Sequence, residues 1–306
     1  MLAARSGRSE ASTKDRWVNS ALPPSLAPPV IDTLRHGTNT AKLVATKVKL
    51  RSTLYINDRD DSGQTALAHA TKFGSRESVR ILLAVEGVDY SCVDASGQTP
   101  LMTAAKEGHD DILALLLELE GMKLDSRDND GMTALAHAIP CCQVEICKAL
   151  LKADSTSAGY TTSEGFTYLM LAAECGNAKL IRAMLHLAQF DVNARDIQGR
   201  TALALAVESK SYDAVEALLD VEDVNVHCVD EEGTTVLMGA VIAESVELVN
   251  RFLNLGLDAT INARDIEGKT ALAQALVRGS TMIVKTLLGD EGIDYNCADT
   301  KGQTPL

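Results

Sequence analysis

The string Gly-x-Thr-x-Leu recurs along this chain at a nearly constant interval, and that recurrence limits the possible folds more than any other feature. Its glycines are Gly63, Gly97, Gly131, Gly165, Gly199, Gly233, Gly268 and Gly302, separated by 34, 34, 34, 34, 34, 35 and 34 residues. A length of 306 residues would otherwise suggest about two domains of roughly 150 residues. A fixed period instead means one small unit copied in tandem, each copy burying its apolar face against its neighbours.

Each unit has three parts. Three residues before the glycine stands an aspartate at Asp60, Asp94, Asp128, Asp196, Asp230, Asp265 and Asp299, with Thr162 as the exception. Asp-x-x-Gly is a turn, because the carboxylate bonds nearby backbone and glycine tolerates positive φ. Two residues past the glycine, Thr65, Thr99, Thr133, Thr167, Thr201, Thr235, Thr270 and Thr304 are placed to cap a helix. Pro100 and Pro305 follow at the first helical position, where the missing N–H costs nothing.

That first helix is short and ends near Gly74, Gly108, Gly176 and Gly279. Cys142, Lys210 and Glu244 replace the glycine elsewhere, so those turns are expected to be less well set, and Pro140 is expected to end the third unit's helix early. A second helix carries apolar residues at i, i+3 and i+4, as in Val79/Leu82/Leu83 and Val215/Leu218/Leu219. Alanine recurs seven residues past each glycine from Ala70 to Ala275, which implies close helix approach. Helices this short are marginal alone, so stacking must supply their stability. Aromatics are 4% of the chain, which leaves leucine and alanine to fill the interior.

These residues resemble the ankyrin repeat, whose pattern is Asp-x-x-Gly-x-Thr-Pro-Leu-His-x-Ala-Ala-x-x-Gly-His. Asp94, Gly97, Thr99, Pro100, Leu101, Ala104, Ala105, Gly108 and His109 match it almost in full. The resemblance implies an all-α solenoid of stacked helix-turn-helix repeats with projecting β-hairpin fingers. It covers residues 60–306 as about seven repeats and a truncated eighth. Residues 29–59 read as a diverged capping repeat, and residues 1–28, with Pro23, Pro24 and Pro28, as an irregular segment. The family's histidine after leucine is replaced by alanine or methionine, so the usual Thr–His bond is absent. Thr-Ala-Leu-Ala strings alternate with Thr-x-Leu-Met strings, a two-unit superperiod of 68 residues.

Net charge is −13, unevenly spread. Residues 1–59 hold 10 Lys+Arg against 4 Asp+Glu, net +6, while residues 60–306 hold 19 against 38, net −19. An array that acidic repels phosphate backbones, which argues against nucleic acid and favours a basic or mixed apolar-basic protein segment. The N-terminus has no apolar signal core and no run reaches 18 apolar residues, so the expectation is a monomer in the cytoplasm or nucleus without membrane insertion.

Several strings mimic chemistry without supporting it. Gly268-Lys269-Thr270 would need a glycine five residues upstream to cradle phosphate, and Ala263 is there. Ser126–Gly131 resembles the start of a calcium loop, but its final ligand position is His137. The seven cysteines include Cys141, Cys142 and Cys147 and no Cys-x-x-Cys pair, which reads as small filler residues in a reducing compartment. No catalytic, cofactor or metal residues are expected, and the chain reads as a non-enzyme.

In the ankyrin family, partners usually meet finger tips and the exposed side of the first helix. At those offsets Phe73, Met132, Phe166, Ile197, Ile242 and Ile266 are large and apolar among polar neighbours. Met132, Phe166 and Ile197 fall on consecutive fingers and are expected to form an apolar stripe rimmed by Asp130, Glu164 and Asp196. The expected function is a protein-binding scaffold, with a regulatory or targeting array of a larger protein, such as a protein kinase, as the alternative.

Overall fold

The computed structural model describes residues 56–154, 159–257, 260–296 and 300. The irregular segment over 1–28, nearly all of the capping repeat over 29–59, and the truncated eighth repeat fall outside them. The chain gathers into two compact units, Met1–Asn129 and Asp130–Leu306.

The first unit holds α1 (Ala66–Lys72), α2 (Arg76–Leu83), α3 (Pro100–Glu107) and α4 (Asp110–Leu117). The second holds α5 (Ala134–Ala138), α6 (Val144–Ala153), α7 (Tyr168–Glu174), α8 (Ala178–Leu187), α9 (Ala202–Glu208), α10 (Tyr212–Leu219), α11 (Val236–Ile242), α12 (Val246–Leu253), α13 (Ala271–Val277) and α14 (Thr281–Leu288). Each pair packs internally and onto its successor: α1 on α3 in the first unit, and α7 on α9, α9 on α11, α6 on α8 and α12 on α14 in the second. This is the stacked helix-turn-helix arrangement expected of the repeat. At the alanine seven past each glycine, Ala104, Ala138, Ala172, Ala206, Ala240 and Ala275 are fully buried, where a larger side chain would hold the helices apart.

The helix starts follow from the threonines. Thr65, Thr99, Thr133, Thr167, Thr201, Thr235 and Thr270 each accept, through Oγ1, the N–H three residues on, at 3.2–3.4 Å. All seven are buried, so each satisfies a helix donor that water cannot reach. Pro140 lies just past α5, which is only five residues long.

The turns ahead of the helices are built by aspartate. Asp94 Oδ1 accepts from the N–H groups of Ser96 and Gln98, and Asp60, Asp196, Asp230 and Asp265 repeat the pattern. Thr162 substitutes for aspartate functionally, its hydroxyl accepting from Glu164 and Phe166. Among the described residues these fingers form turns with one isolated antiparallel bridge, Val229 to Thr235, rather than extended hairpin strands. Successive fingers are joined by a backbone bond, as in Ala95 N–H to Ser62 O, Ile197 N–H to Glu164 O and Ile266 N–H to Glu232 O. A Cβ added at Gly63, Gly97, Gly165, Gly199 or Gly233 would come within 3.1 Å of the next finger, so only glycine fits there.

Cys142, Lys210 and Glu244 adopt left-handed backbone, with φ of 56°, 59° and 58°, beside 63–78° for their glycine counterparts. Their N–H groups bond Ile139, Val207 and Val241 just as Gly74 bonds Thr71. These turns are therefore set like the others. Stacking imposes the conformation, and the side chain costs strain of about 1–2 kcal/mol rather than looser geometry.

The superperiod has a physical basis. In Thr-x-Leu-Met repeats, Met102 and Met170 place sulfur 3.3 and 3.4 Å from the N–H of Thr99 and Thr167, closing a reciprocal cap. In two Thr-Ala-Leu-Ala repeats the turn aspartate is held instead: His69 meets Asp60 at 2.6 Å, and Gln274 donates to Asp265 at 2.8 Å. These repeats also reach forward to the next. Asn193 donates to Asp223 O and accepts from Asn225 N–H, and Asn57 and Asn262 make the same pair of bonds with Gly87/Asp89 and Gly292/Asp294. Arg59 and Arg195 bond Val93 O and Val229 O. The 35-residue repeat keeps both the Asn262 clamp and the Ile266 finger bond, so its extra residue falls between Leu253 and Ile261.

Candidate protein-binding surface

The expected stripe of Met132, Phe166 and Ile197 does not form. Phe166 is only 8% exposed, because the Arg200 guanidinium of the following finger lies over its ring, 5.5 Å from the centroid. Arg200 is itself fixed by Asp196 at 2.8 Å and Glu208 at 3.2 Å. Asp196 is therefore a buried turn acceptor and not part of a rim. Met132 is half-buried beneath the Tyr160 hydroxyl, which also donates to Gly131 O. Tyr160 stacks on Tyr168 at 4.3 Å, and the Tyr168 hydroxyl meets Thr133 Oγ1 at 2.6 Å. Aromatic packing occupies the third-to-fourth joint, where a Cβ added at Gly131 would meet nothing. Asp130 and Glu164 are exposed on their fingers, and Ile197 is 62% exposed. Phe73, the C-terminal cap of α1, is exposed with its ring stacked on His69.

Three other exposed apolar side chains do converge. Ile242 at the end of α11, Ile266 on the following finger and Val277 at the end of α13 line one groove of about 400 Å³. Ile266 is 70% and Val277 73% exposed. Glu232, Glu267, Lys269 and Arg278 edge this groove, with Glu267 paired to Lys269. The Asp265 carboxylate is already committed to Gln274 and to two backbone N–H groups. Val277 went unremarked in the sequence, although it stands nine residues past Gly268, the offset of Ile242 from Gly233. The five preceding repeats carry Lys72, Lys106, Pro140, Glu174 and Glu208 at that offset.

The ankyrin-repeat family model, built of three repeat copies, matches residues 82–158, 155–228 and 218–299. The chain belongs to the ankyrin-repeat family. Among solved structures it is similar to the ankyrin repeat domain of Bcl-3, a unique member of the IκB protein family. The two share 29% identity with a TM-score of 0.61, over 69% of this chain and 93% of that one. Compared as a sequence with curated proteins, the chain has no significant match.

Among the described residues no three His, Cys, Asp or Glu side chains converge as metal ligands, and no helix is long and apolar enough to cross a membrane. The titratable groups with shifted pKa values have structural causes. Burial pushes the Cys147 thiol up to about 12, which leaves it protonated and inert. Burial also raises the Asp60 carboxyl, but its bonds from His69 and from the Gln64 and Ser62 N–H groups outweigh this and hold it below its ordinary value.

Proposed function

We propose that this ankyrin array is a non-catalytic protein-binding scaffold whose partner engages the groove of Ile242, Ile266 and Val277. The observation that supports it most is the change at one repeat position. Five repeats keep it charged or proline, and the two that share the groove make it large and apolar. Three neighbouring apolar side chains left in water form a patch whose burial would stabilise a complex, at about 1.5–3 kcal/mol for each side chain fully covered. A partner segment with an apolar anchor flanked by basic residues fits best, since the surrounding array is acidic and Glu232 is exposed at the rim. The reading includes a monomeric chain acting in the cytoplasm or nucleus.

The test compares the wild-type chain with an Ile242→Ser/Ile266→Ser/Val277→Ser variant as affinity baits in cell extract. The variant should lose its specific partner, with affinity falling by about 10–100-fold once the partner is in hand, while its Tm stays unchanged. Serine at Met132 and Ile197 should leave binding intact. Equal recovery by the groove variant, or loss with the Met132/Ile197 variant alone, would move the contact surface elsewhere.

A further inference from the structure

The turn between α5 and α6 and the end of α7 bring cysteines to the same end of adjacent repeats. Cys141 and Cys142 lie in the first, Cys175 caps the second, and all three are exposed. Cys142 takes the place that glycine holds in four other repeats, with φ of 56°. That position has a defined neighbour in the stack. One repeat later it is Gly176, and a Cβ added there would lie 2.9 Å from Ser211 Cβ and 3.3 Å from Ser209 Oγ. Ser211 also closes the contact by donating to Gly176 O at 3.0 Å. In the first unit Gly74 similarly faces His109 of the next repeat.

Cys175 stands ten residues past its marker glycine, the position of Ser209 in its own repeat. Translated by one repeat, the contact of Gly176 with Ser209 becomes a contact of Cys142 with Cys175, within one unit in which α6 packs on α8. A disulfide needs Cβ atoms about 3.5–4.5 Å apart, and a Cβ only 3.3 Å from its neighbour's γ atom, as at Gly176 and Ser209, places the equivalent cysteines within reach of that geometry. Cys141 holds the neighbouring position and is exposed, and Cys147 is buried.

We propose that Cys142 and Cys175 form a reversible disulfide that staples the third repeat to the fourth. The oxidant is a low-molecular-weight disulfide such as glutathione disulfide. The Cys142 thiolate attacks one sulfur of that disulfide and expels a glutathione thiolate, leaving a mixed disulfide on Cys142. The Cys175 thiolate then attacks the Cys142 sulfur and expels the second glutathione. Two protein thiols are oxidised to one disulfide, one glutathione disulfide is reduced to two thiols, and the two protein protons pass to the released glutathione thiolates. The order follows from the environments: although Cys175 is exposed at the surface, partial desolvation by the surrounding chain, then the nearby Cys142 thiol and the Glu174 carboxylate, push its thiol up, which suits it to the second, intramolecular step. The bond would join the same two repeats whose fingers, at the other end of the first helices, are held by Tyr160 and Tyr168 instead of close glycine packing.

The test equilibrates the full chain in glutathione buffers of graded redox ratio, traps free thiols by alkylation and maps disulfides by mass spectrometry. A Cys142–Cys175 cross-link should form in the wild type and in Cys141→Ser, disappear on reduction, and be absent from Cys142→Ser and Cys175→Ser. The oxidised wild type should melt several degrees above its reduced form, a shift that Cys142→Ser lacks. Cys142→Gly, which relieves the backbone strain, provides a second variant certain to keep the turn. A dominant Cys141–Cys142 or Cys141–Cys175 link, glutathione adducts without ring closure, cross-links only between molecules, or no product would each overturn the proposal.

Discussion

Repeats that open on Thr-Ala-Leu-Ala and repeats that open on Thr-x-Leu-Met meet the same requirement with different atoms. Both must satisfy the N–H groups left bare where a turn becomes a helix. In two repeats of the second kind, Met102 and Met170 accept through sulfur from the capping threonine's own N–H, and their side chains fill the core beside it. In the first kind alanine offers no such acceptor, and in two of these repeats the aspartate turn is braced from the helix by His69 or Gln274. The first kind also clamps the loop of the following repeat through Asn57, Asn193 and Asn262. The second kind reaches its successor as well, since the Tyr90 hydroxyl donates to Glu120 O, so the two kinds differ in how they cap and in which side chain reaches forward. The 68-residue superperiod therefore has a structural correlate in these capping side chains and is not only a trace of duplication.

The largest effect that could break this comparison is expected at the methionines. Met102→Ala would make a second-kind repeat resemble the first without giving it the compensating brace. Chemical denaturation should show a loss of about 2–5 kcal/mol, the range for truncating a buried methionine. A loss below about 1 kcal/mol would mean that sulfur and volume are both dispensable there. A smaller effect is expected at the clamp. Asn193→Ala removes two bonds to the next loop and should cost about 1 kcal/mol, partly because that site is open to water. His227→Ala, at the matching position of the other kind of repeat, should stay within about 0.5 kcal/mol. Equal costs would erase the distinction.

The smallest effect concerns acid stability. The folded-state pKa of Asp60 lies below its ordinary 3.8, so its contribution is complete above that value and is lost as pH falls through the folded one. Asp60→Asn keeps an oxygen acceptor for the turn but cannot change charge. It should therefore flatten the acid limb of a stability–pH profile below about pH 4 while changing neutral behaviour less. An unchanged acid limb would remove His69 from the brace.

Much of this architecture could be read from the residues, because each repeat is an independent copy of the same experiment. Seven threonines at one offset all proved to be caps, and the alanines at another mark where helices touch. The left-handed turns at Cys142, Lys210 and Glu244 could be placed from their glycine counterparts, though not the fact that stacking would hold them equally firm. The contact surface was harder to read. Ile242 and Ile266 were singled out one at a time, and Val277 was missed at an offset already in use. Phe166 looked exposed by position, but its environment is set by a residue 34 places on, the arginine that happens to follow it in the next repeat. Asp196 was assigned both a turn and a rim, and burial allows only the turn. Offsets report the backbone, which every repeat shares. They do not report which side chain the neighbouring repeat lays across it.

The seam between Leu253 and Ile261 already carries one residue more than its sister loops, yet the asparagine clamp and finger bond beyond it remain in register. Nature has thus performed an insertion there without disturbing the ribs on either side. A fluorophore-bearing segment or an epitope spliced into that seam should be accommodated in the same way, giving a reporter position that leaves both the groove and the cysteine pair untouched.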